Sequence, residues 1–442
     1  MTQPALPLVP VGHAARRRAI FASVIGNGLE WFDFGIYGVF GGILSKLFFP
    51  TTDPAALMLV ATATFGIAFV VRPIGGILFG MYADRAGRKA AMSRIILLMA
   101  IGTGLIGIAP TYAMIGIAAP AIIILARVLQ GLSAGGEFAS ATAMLIEHSP
   151  PHRRGFIGSF QMCSQALAFA LGGAAGYLIT HSMSPADVAS WGWRIPFLLG
   201  ALIGPVGHYI RSRVDESPEF VAFLRNRAQA PRLSLMAVLR QYPRQLWSSF
   251  GLVVIGTASS YVVLIYIPLS AAAQLGIASA DALLALMFGA MCLIVLCPFA
   301  GWLADRFGTR NVMLPAVVLF GFTAHYLLSA LITAPNATAL FRYEVISCCI
   351  MSFFWGPTPL AMANAFPVQV RSTGMSVVYN LGVMLFGGLA PLTNAWLTKV
   401  TGDKMAPAYY LQFSVLIGAT AVLMLARTGS SISPAVAQAR SA

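Results

Sequence analysis

The string GMYADRAGRK at residues 80–89 returns as GWLADRFGTR at residues 301–310. Aligning Asp84 with Asp305 sets a period equal to half of the 442-residue chain. A Gly, an Ala-Asp-Arg triplet and a second Gly coincide in the two copies. Each copy closes a long apolar run and opens a basic loop. Self-similarity at half-length in an apolar chain implies two related helical bundles in a membrane, the architecture of secondary transporters.

Composition supports a membrane solvent. Apolar residues make up 58% of the chain and charged residues 10%, against roughly 25% charged in soluble domains. The mean hydropathy is +0.79. Lipid offers no hydrogen bonds, so spans must be helices or a closed barrel. The apolar runs are about 20 residues or longer and suit helices, whereas barrel strands are about 10 residues and alternate. A net charge of +14 raises nucleic acid as a partner, but the basic residues sit in short loops between apolar runs, which argues against it. Cys163, Cys292, Cys297, Cys348 and Cys349 lie inside apolar segments without metal spacing, so no metal or cofactor is expected. Arg16 to Arg18 precede an apolar stretch that lacks a small-residue cleavage site and carries Glu30 and Asp33. It reads as a retained first span rather than a signal peptide.

Twelve spans are expected near 19–44, 57–83, 91–109, 117–147, 156–180, 194–212, 245–270, 281–304, 311–333, 339–366, 372–399 and 407–427. The organisation is then a tail (1–18), a six-helix bundle (19–212), a linker (213–244), a second six-helix bundle (245–427) and a second tail (428–442). With the N-terminus inside, about 21 of the 28 Lys and Arg fall on one side, as the positive-inside rule requires. Both termini are expected to be cytoplasmic. The linker reads as a tether, with a further gating role equally open.

Ionisable residues inside a bilayer cost roughly 2.5–3.5 kcal/mol each on insertion scales, which makes them functional candidates. Helix rise places Glu30 about 17 Å, Asp33 about 21 Å and Arg72 about 18 Å from the cytoplasmic face. An ion pair at this shared depth is the cheapest way to hold the three charges. It is also a coupling device, because a carboxylate that loses its cation takes up a proton more readily. Asn27, Glu30, Phe34 and Tyr37 share one helical face. Arg127, Gln130, Ala134, Glu137 and Ala141 repeat that spacing, and Gln161 and Gln165 follow at i, i+4. In the second half the polar candidates thin out to Tyr261, Tyr266, Tyr379 and Asn380. Each candidate also has a plain reading. The buried charges can be ion pairs that fix helix register, and the glutamines can join neighbouring helices. Arg342 and Glu344 fall near the outer end of span ten, where snorkelling is expected. His208, His325, Trp355, Met287 and Met291 read as packing.

At these residues the chain resembles the major facilitator superfamily. The first repeat is similar to its loop 2–3 signature, Gly-x-x-x-Asp-Arg-x-Gly-Arg-Arg/Lys, and the resemblance covers nearly the whole chain. GNGLEWFDFGIYG (26–38), RPIGG (72–76), RVLQGLSAGGE (127–137), GWRIPF (192–197) and DESPEF (215–220) resemble the metabolite:H⁺ symporter branch of bacterial inner membranes. Members carry organic acids such as citrate, α-ketoglutarate and shikimate, or zwitterions such as proline and betaine. The stretch 386–411 looks most like citrate and tricarballylate carriers. The resemblance implies an all-α fold of twelve membrane helices in two pseudo-symmetric six-helix bundles. It also implies gating loops at Gly80, Asp84, Arg85, Gly87, Arg88, Glu147, Arg154, Asp305, Arg306 and Arg371. Two positions depart from the pattern. Thr309 stands where Arg is usual and Asn364 where an acid is usual, which suggests a weaker second charge network.

The expected activity is proton symport of a small carboxylate, a di- or tricarboxylate such as citrate, by alternating access in a bacterial inner membrane. The partners would be that substrate, protons and the lipid bilayer, with one chain sufficient as a monomer. Asp33, Glu30 and Glu137 are the proton-carrier candidates. Arg72, Arg127, Asn27, Tyr37, Gln130, Gln161, Gln165, Tyr261, Tyr379 and Asn380 are the substrate-contact candidates. Arg suits a carboxylate because its fork bonds both oxygens. A proline or betaine symporter is the alternative, with Trp31, Phe34, Tyr37 and Tyr261 as a cation-binding surface. The short tail after Arg427 lacks heptads and disfavours that alternative. HExxH and Cys/His constellations are absent from the sequence, which argues against an intramembrane enzyme.

Overall fold

A computed structural model describes residues 13–51, 53–86, 88–147, 149–212, 240–366 and 371–425. Nine helical stretches among them are long and apolar enough to cross a membrane. Three further helices complete the twelve: α1 (His13–Phe48), α3 (Arg88–Ile108) and α6 (Arg194–Ser212). The remaining helices of the first half are α2 (Pro54–Ala86), α4 and α5 (Arg154–Ser182). Helix α4 comprises Ala118–Ser133 and Glu137–Glu147 around a tight turn at Ala134–Gly136. The second half starts with α7, which runs from Pro243–Tyr261 through a π-helical turn at Val262–Tyr266 into Ile267–Gln274. Helices α8 (Ser279–Phe307) and α9 (Thr309–Thr333) follow. Helix α10 joins Ala337–Trp355 to Thr358–Ala365, and α11 joins Arg371–Gly382 to Ala390–Thr401 through a second π turn. Helix α12 is Ala406–Met424. The first residues of α7 fall inside the expected linker, whose residues 213–239 lie outside the described ones.

The half-length shift carries Gly135 onto Gly356, so α4 and α10 break at the same place in the two halves. Pro357 accounts for the second break by removing a backbone donor. The first comes from Gly135 and Gly136, which weaken the helix at the point where α2 presses against it.

Glycines set how closely the helices approach. A Cβ at Gly131 would overlap the Ala68 carbonyl, one at Gly75 the Leu132 carbonyl, and one at Gly135 the Gly76 nitrogen. The RPIGG and QGLSAGG strings are therefore one interface, in which α2 and α4 touch through backbone. Nearby, Arg194 Nη1 donates to the Gly107 and Ala109 carbonyls at 2.9 and 2.8 Å, capping the end of α3. That placement explains the arginine of the GWRIPF string.

The halves meet along their whole length. At one end Asp305 of α8 accepts from the Gly155 N–H at 2.7 Å and the Phe156 N–H at 2.9 Å, at the start of α5. At the other end a Cβ on Gly38 of α1 would lie 2.5 Å from Ile265 of α7, and one on Gly173 of α5 would lie 2.8 Å from Leu286 of α8. In the middle Gly388 of α11 receives the Phe69 ring of α2. Among the described residues the halves are closed on each other at both ends.

Candidate functional site

Two buried arginines organise the centre of the first half. Arg72 Nη2 donates to Glu30 Oε1 at 2.7 Å, and its Nε donates to the Ala134 carbonyl at 2.9 Å, at the break in α4. The sequence placed Glu30 and Asp33 at one depth with Arg72, and the partner is Glu30. The Arg72 guanidinium carbon lies 5.6 Å from the ring centres of Trp31 and Phe34, 5.8 Å from Phe69 and 5.7 Å from Tyr379. Aromatic faces attract a cation at these distances. Nη1 is buried and has no hydrogen-bond partner, so the fork of Arg72 is half used.

Arg127 is held differently. Its Nε and Nη2 donate to the Thr64 and Phe65 carbonyls at 3.2 and 2.7 Å, and Nη1 donates to Gln130 Oε1 at 2.7 Å. Gln130 in turn donates to Thr103 Oγ1 at 2.8 Å. The Tyr37 ring sits 4.1 Å from the guanidinium carbon. Two nitrogens of the Arg127 fork brace α4 against α2, and the third is held by Gln130 on α4 itself. In the closed form Arg127, Gln130 and Tyr37 are a packed unit.

The glutamines divide likewise. Gln161 accepts from Thr142 at 2.6 Å and donates to the Phe138 carbonyl at 3.3 Å, joining α5 to α4. Asn27 donates to the Gln161 carbonyl at 3.1 Å and to Ser164 at 2.7 Å, while its own Oδ1 has no partner. Gln165 Nε2, Asn380 Oδ1 and the Tyr261 hydroxyl are also buried without partners. Buried polar atoms are normally satisfied, so such a set between two halves is what a polar ligand would complete.

The second half contributes aromatic surface. Tyr261 packs 6.2 Å from Trp31, 5.7 Å from Phe65 and 5.3 Å from Phe69 between ring centres. Tyr379 stacks on Phe138 at 3.6 Å with the planes 6° apart. Asn380 donates to the Gly135 carbonyl at 2.7 Å, across the halves at the break in α4. Sequence reasoning missed Phe65, Phe69, Phe138 and Thr103. The i, i+4, i+7 spacing of Phe65, Phe69 and Arg72 is the signal that places both rings on the arginine's face.

Asp33 is 5% exposed and lines a cavity of about 40 Å³ with Glu30, Ser133 and the partly buried Glu137. The cavity lies within the first half, against Ile96 and Met99 of α3 and Gly200 and Gly204 of α6. It has room for a few waters beside three carboxyl groups. A Cβ on Gly200 would lie 2.8 Å from Asp33 Oδ1, so this glycine makes the space the carboxylate occupies.

The gating residues fall out unevenly. Gly80, Asp84, Arg85, Arg88 and Glu147 lie on helical backbone, with their side chains outside the described residues, and Gly87 lies outside them altogether. In the second copy Asp305 bridges the halves as described, although Thr309 and Asn364 depart from the pattern. Arg306 is exposed and stacks on Trp302 at 4.4 Å rather than reaching across. Arg371 Nε donates to the Ala363 carbonyl at 2.8 Å, tying α11 to the end of α10 within one half. Arg154 Nε is buried without a partner.

One expectation is overturned. Glu344 does not snorkel. It is 0% exposed inside the second half, while Arg342 two residues earlier is exposed. On a helix two residues turn the side chain by about 200°, so one points outward and the other into the bundle.

Comparison with known proteins agrees with this architecture. Residues 19–241 match the family model described as sugar (and other) transporter. A proline/betaine transporter of Salmonella typhimurium is 34% identical over 411 residues, covering 91% of this chain and 82% of the relative. The chain belongs to this transporter family, within the major facilitator superfamily. It is a multi-pass membrane transporter and not an enzyme. A citrate-proton symporter of Klebsiella pneumoniae is 33% identical over 413 residues, covering 93% and 92% of the two chains. The solved structure of the proton:xylose symporter XylE superposes with a TM-score of 0.77 at 17% identity, covering 93% and 95%. At that identity the likeness establishes the fold alone.

Proposed function

We propose that this transporter carries a small zwitterion of the proline or betaine kind together with protons, by alternating access between its halves. The observation that carries the reading is the Arg72–Glu30 pair inside rings drawn from both halves. A zwitterion can exchange with that pair. Its carboxylate takes the fork of Arg72, and its cationic end takes the aromatic box of Trp31, Phe34, Phe69 and Tyr261 beside Glu30. Charge balance points the same way. Glu30, Asp33 and Glu137 against Arg72 and Arg127 leave no net positive charge, so a tricarboxylate would bring three uncompensated charges into a low-dielectric site. The likeness to proline/betaine transporters favours this alternative over the di- or tricarboxylate first expected. The citrate-proton relative keeps the carboxylate as the comparison to be tested.

Asp33 is the first choice of proton carrier, with Glu30 and Glu137 on the same cavity. Arg72, Asn27, Gln165, Tyr261, Tyr379 and Asn380 make the substrate site, and Arg127, Gln130, Gln161 and Tyr37 hold its walls. The positive-inside count supports cytoplasmic termini and the family resemblance a bacterial inner membrane, in which the Asp305 end faces inward. One chain supplies both halves of the pathway, so the monomer is the working unit. Purified protein in vesicles, assayed for counterflow of labelled proline, betaine and citrate, tests the substrate. Exchange of the zwitterions and not citrate is expected, and citrate exchange without either zwitterion overturns the reading. Asp33→Asn is expected to abolish accumulation driven by a pH gradient while sparing counterflow. Normal accumulation would remove Asp33 from the coupling step.

A further inference from the structure

We propose that Asn380 sets substrate selectivity: its side-chain oxygen receives an N–H of the substrate cation, so the site favours a zwitterion that carries N–H groups over a fully N-methylated one. The proposal rests on the zwitterion reading given above and narrows it. Asn380 stands on α11, in the half opposite Arg72 and Glu30, and is 7% exposed. Its Nδ2 donates across the halves to the Gly135 carbonyl at 2.7 Å and, within α11, to Ser376 Oγ at 3.3 Å. These bonds fix the orientation of the amide. Turned over, its oxygen would face the Gly135 carbonyl oxygen, acceptor against acceptor. Oδ1 is left buried, with no hydrogen-bond partner among the described residues.

The amide lies beside the charges of the central site. Gly135 follows Ala134, whose carbonyl holds Arg72 Nε. A Cβ on Gly76, one turn beyond Arg72 on α2, would lie 3.7 Å from Asn380 Nδ2. Tyr379, the preceding residue, places its ring 5.7 Å from the Arg72 guanidinium carbon. Asn27 is the matching case on α1, three positions before Glu30. Its Nδ2 is committed to the Gln161 carbonyl and Ser164, and its Oδ1 is buried without a partner. The unused donors beside them are Arg72 Nη1 and Gln165 Nε2. Such donors suit the carboxylate of a zwitterion. The rings of Trp31, Phe34, Phe69 and Tyr261 attract its cation whether methylated or not. The amide oxygens discriminate, because a quaternary ammonium has no N–H to give them. A buried acceptor left unpaired is costly, and a site built to bond an N–H rejects the analogue that lacks it. Betaine still enters through the rings, but binds more weakly than proline.

The test is isothermal titration of the purified transporter with proline and with N,N-dimethylproline, which differ only in the methyl groups that replace N–H. Proline is expected to bind about tenfold tighter or more. Equal affinities overturn the proposal. Asn380→Leu keeps the volume of the side chain and removes the acceptor. The ratio of the two affinities is expected to fall about fivefold or more in this variant. Loss of the Gly135 bond burdens both ligands alike and cancels in the ratio. A ratio unchanged from wild type overturns the proposal, because steric rejection of the methyl groups is then the cause. Asn380→Asp keeps an accepting oxygen without the amide donor and serves where the leucine variant does not fold. It is expected to keep the preference for proline, and loss of that preference overturns the proposal as well. Failure of the zwitterion reading itself is seen separately, as binding of citrate and of neither proline nor its dimethyl analogue.

Discussion

Asp305→Asn is expected to open the interface at the Asp305 end. The carboxylate holds two N–H groups in the first turn of α5, at 2.7 and 2.9 Å. Asparagine can keep one of these bonds through its carbonyl oxygen. Its amide group then faces the other N–H, donor against donor. A hydrogen bond to a charged group contributes about 1.5–3 kcal/mol, and the helix N-terminus adds about 0.3–1 kcal/mol for a negative charge. Asp305 is partly exposed, so solvent reduces both contributions and a loss of about 2 kcal/mol is the working figure. At about 1.4 kcal/mol per tenfold, the equilibrium moves about 30-fold away from the form closed at that end. Spin labels at the exposed Arg153 and Phe307 report the separation by double electron–electron resonance. The variant should gain a longer-distance population that wild type lacks. Gly155→Ala should act in the same direction, because its Cβ would lie 2.9 Å from Asp305 Oδ1 and would overlap the Gly301 carbonyl. Distance distributions identical to wild type in both variants would refute the latch.

Arg72→Gln leaves the Glu30 charge without its cation and should destabilise by about 3–5 kcal/mol, whereas Arg72→Gln with Glu30→Gln should recover most of the loss. Thermal unfolding in detergent reads both, and a double variant no better than the single one would show that the pair is uncoupled. Gly131→Leu should abolish folded protein on size-exclusion chromatography, because α2 and α4 meet there through backbone. Gly41→Ala should be silent by the same assay, since its Cβ would meet Ala61 at an ordinary 3.9 Å. Tyr261→Ala should weaken betaine binding about tenfold, from a cation–π contribution of about 0.5–2 kcal/mol. Tyr261→Phe, which keeps the ring and removes only the hydroxyl, should lose less than Tyr261→Ala in isothermal titration. Equal losses in the two Tyr261 variants would mean that the hydroxyl and not the ring carries the contact.

The two halves, the twelve helices and the depth of Glu30, Asp33 and Arg72 were legible because each follows from a regular spacing. The repeat follows from the half-length period, and depth follows from the helix rise of about 1.5 Å per residue. Partner choice was not legible, because it depends on helix rotation and on how closely backbones approach. Glu30 and Asp33 differ by three positions at nearly one depth, and the close approach of α2 and α4 at Gly75, Gly131 and Gly135 accompanies the choice of Glu30, with Arg72 Nε held on the Ala134 carbonyl. The same contact brings the Thr64 and Phe65 carbonyls within reach of Arg127 and converts an expected substrate arginine into a brace. The period also marks where the halves diverge. It carries Arg72 onto Leu293 and Arg127 onto Cys348, so neither arginine has a charged counterpart. It carries Glu344 onto Ile123, so the buried acid of the second half has none either. An ionisable side chain whose symmetry mate is apolar is not required by the fold the two halves share and needs a reason of its own. By that criterion Arg72, Arg127 and Glu344 stand out alike. Reading position 344 only by its nearness to a helix end hid it, because distance from the bilayer surface does not say which way a helix faces.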